Sequence, residues 1–281
     1  MSITKEQLMT ELVLQENGLS IEEMSEALGA ASKSSGPKIP DLGMNYEPED
    51  GPMGAFYLKT DEDRVYATEG VMFRAFSNHI QYQHWDEKEL VNKSILVRNT
   101  REEARDQRGG LMCGMPTYEQ SIQMSPEEKE KYKGIDRYRI VRGLVSYTGK
   151  TAQGKEVTIE NAPCKLSLKR KNYGPFWHDV QKKIPSGVNF WDFNCLLSTS
   201  KEKNSYGKTY YVMHFTPQFA DLIPMDQITY DSLAHVTSLV KSENARIEEA
   251  YKAAQMDALD AEEAERIMDA VDTLQADYTA A

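Results

Sequence analysis

Apolar and polar residues alternate most clearly in the middle of the chain. In RYRIVRGLVSY, residues 137–147, Tyr138, Ile140, Arg142, Leu144 and Ser146 fall on one face of a strand. Arg139, Val141, Gly143, Val145 and Tyr147 fall on the other. Shorter β-branched and aromatic runs read as strands at 54–58, 64–67, 71–85, 93–99, 156–160, 164–169, 190–198 and 209–215. The stretch YGPFWHDVQKKI, 173–184, predicts a short helix with Pro175 in its first turn. The ends change period. Leu8, Met9, Leu12 and Leu14, then a capping-box spacing from Ser20 to Glu23, predict an N-terminal helical segment over 1–32. Ile228, Leu233, Val236, Val240 and Ile247 predict a long C-terminal helix over 221–256.

Prolines, glycines and acids cluster at 33–53 and mark a linker. The division is therefore an N-terminal helical segment (1–32), a linker (33–53), a β-rich domain (54–220), a C-terminal helix (221–256) and an acidic tail (257–281). The order β–β–β–α–β–β over 137–215 is that of the OB-fold. The expected class is α+β: an OB-like antiparallel β-barrel core with an N-terminal helical segment and a long C-terminal helix.

Charge sharpens this picture. The 281-residue chain has a formal net charge of −11, but residues 131–210 alone carry +10, while residues 1–90 and 221–281 carry −10 each. Aromatic residues recur among the central cations. Cations that track phosphates, interleaved with flat faces that stack unpaired bases, point to single-stranded nucleic acid rather than duplex. The candidate nucleic-acid-binding residues are Arg139, Arg142, Tyr147, Lys150, Lys165, Lys169, Arg170, Lys171, Tyr173, Trp177, Lys182, Lys183, Trp191, Lys203, Tyr206, Lys208 and Tyr210. For any one aromatic, core burial is the competing reading.

Other chemistries leave fainter traces. No P-loop, Rossmann fingerprint, HExxH or GxSxG occurs. Cys113, Cys164 and Cys195 lack the close pairing of strong zinc motifs, and with His178 or His214 they make only a loose Cys₃His set. No catalytic residue, metal or cofactor is expected. No apolar run approaches the ~20 residues of a membrane span. No signal-peptide pattern opens the chain, and three unpaired cysteines suit a reducing compartment, so the expected location is the cytoplasm, of a host cell if the chain is phage-encoded.

RYRIVRGLVSYTGK, PCKLSLKRKNYGPFW and NFWDFNCLL, followed by an acidic C-terminal segment, resemble a phage-type single-stranded DNA-binding protein over about residues 55–281. The resemblance implies non-catalytic coating of single-stranded DNA during replication or recombination, with little sequence preference. It also implies that the acidic segment engages replication or transcription proteins. Many tails of that family end in a phenylalanine, whereas this chain ends DTLQADYTAA. The N-terminal helices would support self-association along the strand. The alternative is a protein-interaction or structural phage component that binds no nucleic acid.

Overall fold

A computed structural model describes residues 39–60, 63–112 and 122–279; the expected N-terminal helical segment lies outside the described residues. From Pro40 onward the chain forms one compact unit. Its elements are β1 (Leu42–Met44), β2 (Phe56–Lys59), β3 (Arg64–Ala67), β4 (Val71–Asp86), β5 (Glu89–Lys93), α1 (Pro126–Lys131), β6 (Ile135–Thr151), β7 (Glu156–Lys169), β8 (Cys195–Lys203), β9 (Thr209–Pro217) and α2 (Gln227–Thr279). Short 3₁₀ turns at Arg170–Asn172, Gln181–Lys183 and Phe190–Asp192, with a π turn at Phe176–Val180, fill the chain between β7 and β8.

The long alternating segments become the two central strands. β4 and β6 pair antiparallel from Met72↔Ser146 to His84↔Ile135, with a bulge between Ala75 and Ser77. β6 and β7 form a long hairpin from Lys150↔Glu156 to Tyr138↔Lys169, with a second irregularity between Val145 and Tyr147. Asn161, at φ 45°, lies near that irregularity.

The barrel expectation does not hold. The strands follow an open path, β1-β2-β3-β6-β4-β8-β9, with β5 attached to β4 and β7 to β6. Its ends, β1 and β9, do not pair with each other. One isolated parallel bridge, Asp41 to Lys165, joins the β1 end to β7, and no ladder extends it. The element order read from the sequence was OB-like, but β4, from upstream of the supposed barrel, lies between β6 and β8 and takes the edges a barrel would need. The fold is α+β, an open nine-stranded sheet with a long C-terminal helix, and not OB-like.

The main core is built from inward positions of β1, β2, β3, β4, β6, β7, β8 and β9 around Phe73, Phe176 and Phe193, all at most 1% exposed. Tyr147 is part of it. Its hydroxyl accepts from the Leu58 amide (3.0 Å) and donates to the Val65 carbonyl (2.7 Å), stitching β6 to the β2–β3 hairpin. Burial pushes this phenol up to about 12. Tyr147→Phe removes the hydroxyl that both buried backbone groups bond, so urea denaturation should read a loss of about 1–3 kcal/mol.

The helix α2 lies across the other side of the central strands. Val236 and Leu233 pack with Phe76, Leu144 and Trp191, and Val240 packs with Leu96, Tyr138, Ile140 and Trp85. Between these apolar patches runs a polar seam. Glu243 accepts from Arg142 (2.5 Å), Lys93 (3.1 Å) and Gln81 (3.0 Å). The Asn244 side chain accepts from the Leu96 amide and donates to its carbonyl, as a neighbouring strand would. Arg105 Nη1 donates to both Glu248 oxygens, and Gln255 bonds the Gly109 carbonyl. Gly109 sits at φ 79° with Ala254 against it, a conformation and an approach that favour glycine.

The helix does not stop at 256. It continues to Thr279, a 53-residue element of about 80 Å at 1.5 Å per residue. Among the described residues no helix is long and apolar enough to cross a membrane.

Candidate functional site

Six of the predicted residues come together in one place. Lys165, Lys169, Arg170, Lys171, Lys203 and Tyr210 line a cleft of about 1140 Å³ between β1, the end of β7 and the β8–β9 hairpin. Tyr46, Trp85, Tyr138, Tyr211, Leu42, Met44 and Met213 supply aromatic and apolar walls that the sequence reading missed. Tyr211 and Met213 were readable as strand residues, but Leu42, Met44 and Tyr46 fell in the expected linker, and nothing local shows that Leu42–Met44 forms a strand facing a common space with β9.

The chain builds the cleft by ending β7 abruptly. Arg170 takes φ 52°, a left-handed conformation that costs a non-glycine residue about 1–3 kcal/mol. Its guanidinium reaches Asp136 at 3.3 Å, and Lys169 reaches the same carboxylate at 3.0 Å. Burial opposes ionisation of Asp136, but the Lys169 and Arg170 bonds and charges outweigh it and hold the carboxyl below its ordinary value. The following residue but one, Asn172, acts as a substitute strand. Its Oδ1 accepts from the Met213 amide (2.8 Å) and its Nδ2 donates to the Tyr211 carbonyl (3.4 Å). Asp179 accepts from the Phe215 amide further along (3.5 Å). The free edge of β9 is thus capped by side chains.

These pairings change what the basic run can do. Lys165 is paired with Asp41 at 3.2 Å, so three of the four cations in KLSLKRK are already matched by carboxylates. Among the described residues, Lys171 and Lys203 carry no ion pair, and both are exposed. Trp85 lies where the cleft meets a second, smaller pocket of about 450 Å³, and Lys169 and Arg170 belong to the same dividing wall. Its indole N–H is buried with no partner among the described residues.

The remaining predicted residues are elsewhere. Arg139 is buried and bonds Asn78, Gln181 and the Tyr173 carbonyl. Its guanidinium and that of Arg137 lie 4.7 and 4.4 Å from the Tyr173 ring centroid, so that ring already has cationic neighbours. Arg142 is buried against Glu243 under α2. Tyr147 is core, and Trp191 is half-buried against Phe76, Leu144 and the helix. Trp177 is 39% exposed beside Arg139, Lys182 and Lys183 are exposed on a 3₁₀ turn, and Lys150 is exposed at the end of β6. Tyr206 and Lys208 stand on the exposed β8–β9 tip, and the Tyr210 hydroxyl donates to Glu202 (2.6 Å).

Two chemical candidates can be placed. Ser200 and His214 approach to 2.7 Å on neighbouring strands. A nucleophile–base pair of this kind needs a third group to orient the imidazole, and no carboxylate bonds His214 among the described residues. Cys164 and Cys195 are buried free thiols, and burial pushes both up, Cys195 to about 12. Zinc requires thiolates. Cys113 lies outside the described residues; among those described, no group of three or more His, Cys, Asp or Glu side chains is placed to hold a metal ion.

Comparison with protein-family models, with curated proteins and with solved structures gives no match in any of the three. The resemblance to phage-type single-stranded DNA-binding proteins is therefore corrected. It rested on a closed OB barrel, and the sheet is open. The single-stranded DNA partner falls with it, as does the tail's role in a DNA-bound assembly. The physical reason lies in the pairing and burial of Arg139, Arg142, Lys165, Lys169, Arg170 and Tyr147, which the charge pattern counted as free.

Proposed function

We propose that this is a non-catalytic protein-interaction module that captures an acidic polypeptide segment bearing apolar or aromatic side chains. The observation that carries this reading is the make-up of the cleft: five cations and one carboxylate, Asp41, around a floor of Leu42, Met44, Tyr138, Tyr211 and Met213. At about 1140 Å³ it exceeds the ~300–1,000 Å³ usual for small-molecule sites and suits a length of chain. Lys171 and Lys203 would meet the ligand's carboxylates. Buried free thiols at Cys164 and Cys195 suit a reducing compartment, and the cytoplasm is the proposed location.

A soluble copolymer of glutamate and tyrosine tests this. Titrated into the full chain at low salt, it should perturb tryptophan fluorescence and bind with an affinity that falls as salt rises. Lys171→Gln with Lys203→Gln should weaken binding by roughly three- to tenfold while circular dichroism is unchanged, since each exposed ion pair contributes about 0.2–1 kcal/mol. Equal binding by the double variant would remove the cleft from consideration.

A further inference from the structure

The chain itself contains a segment of the chemistry that the cleft is suited to take. After the last bond to the body among the described residues, Gln255 to Gly109, α2 runs on for 24 residues to Thr279, about 36 Å at 1.5 Å per residue. Residues 257–281 hold eight carboxylates and one arginine. On the last turns whose side chains are described, Met256 and Leu259 are 66% and 63% exposed, apolar groups with nothing over them. Further along the sequence, Ile267, Val271, Leu274 and Tyr278 recur at three- and four-residue spacing.

Resting on the reading of the cleft given above, we propose that its occupant is the C-terminal arm of α2 from a second copy of the chain. Charge complementarity selects this occupant: an arm of net charge −7 against a cleft whose lining carries five cations and Asp41, with Asp136 paired to two of them and Lys171 and Lys203 left without an ion pair among the described residues. Apolar groups on the arm match the apolar floor. Continuity of α2 selects the second copy, because an unbroken helix running on from the Gln255–Gly109 bond to Thr279 has no break at which to turn back into its own cleft. Arm-to-arm pairing is disfavoured by the repulsion of two such acidic segments. Each copy offers one arm and one cleft, so the contact is head-to-tail and builds rings or open chains.

Sedimentation velocity on the full chain decides it. At low salt the sedimentation coefficient should rise with concentration through dimer and higher species, and about 0.5 M salt should return it to monomer. Two variants separate the halves of the contact: Lys171→Gln with Lys203→Gln in the cleft, and Glu262→Gln with Glu263→Gln and Glu265→Gln in the arm. Each alone should need roughly three- to tenfold more protein to assemble, and an equimolar mixture should form dimers at wild-type concentrations but nothing longer. Assembly at wild-type concentrations in either variant alone would overturn the arm-in-cleft contact. A wild-type chain that stays monomeric yet binds the glutamate–tyrosine copolymer through Lys171 and Lys203 would overturn the second copy as occupant and leave the interaction module standing. A chain that neither assembles nor binds the copolymer would remove both.

Discussion

Glu243→Ala is expected to destabilise the protein by about 3–5 kcal/mol, the range for removing one partner of a buried ion pair. Arg142 is 5% exposed, and the Glu243 carboxylate, at 2.5 Å, is the charge that compensates it. Its Nη1 already has no partner among the described residues, so without Glu243 a buried cation would be left nearly bare. Lys93 and Gln81 would lose the same acceptor. The loss should appear as detachment of α2, with faster amide exchange over 228–255 than over β6. Equal protection in both would mean that the apolar contacts of Val236, Val240 and Ile247 hold the helix without the seam.

Acid should loosen the same seam. His79 is set below its ordinary 6.5 chiefly by burial and then by Arg142, while Glu243 and Glu102 pull the other way and Arg98 adds to the lowering. A histidine depressed on folding is neutral inside and takes up a proton on unfolding, so its stabilising effect is present above about 6.5 and is lost as pH falls toward its folded value. Burial opposes ionisation of Glu243, but Lys93, Arg142 and Gln81 together hold it below its ordinary 4.5. Its contribution is present above 4.5 and disappears as pH drops through the folded value. Helix docking should therefore weaken in two stages, first below about 6.5 and again below 4.5. His79→Gln should blunt the first stage.

Gly143→Val is the second large effect expected: a loss of about 3 kcal/mol or more, or no soluble protein. Gly143 lies at the crowded centre of the sheet, opposite Ala75 on one side and Cys164 on the other. A Cβ there would fall 3.0 Å from the Ala75 Cα and closer still to the Arg74 carbonyl. Both are backbone, next to the β4 bulge, and cannot rotate away as a side chain would. Gly154→Ala is the control for glycine substitution as such, since its Cβ meets nothing within 4 Å and the cost is that of its φ of 82° alone.

Local pattern made individual elements legible. RYRIVRGLVSY lies within β6, TYYVMHF within β9, and the Leu233–Ile247 stripe is the docked part of α2. Long-range pairing was not legible, and it decided both the fold and the site. Lys169 meets Asp136 across 33 residues, Lys165 meets Asp41 across 124, and Arg142 meets Glu243 across 101. Each pair turns an apparent binding cation into a structural one, and no property of the run KLSLKRK reveals it. Tyr147 misled in the same sense. Beside the TGKTAQGK turn it reads as exposed, but the β2–β3 hairpin folds over it and takes its hydroxyl. FWDFNCLLS reads as one strand, whereas Phe190–Asp192 forms a 3₁₀ turn and β8 begins at Cys195.

The polar seam under α2 also sets a clock during synthesis. Arg142 leaves the ribosome 101 residues ahead of Glu243, and Lys93 leaves 150 ahead. At ~5–20 residues per second, Arg142 waits roughly 5–20 s for its counter-ion. For that interval Phe76, Tyr138, Ile140 and Leu144 have no helix over them, so the nascent sheet presents a bare apolar face until nearly the last part of the chain is made.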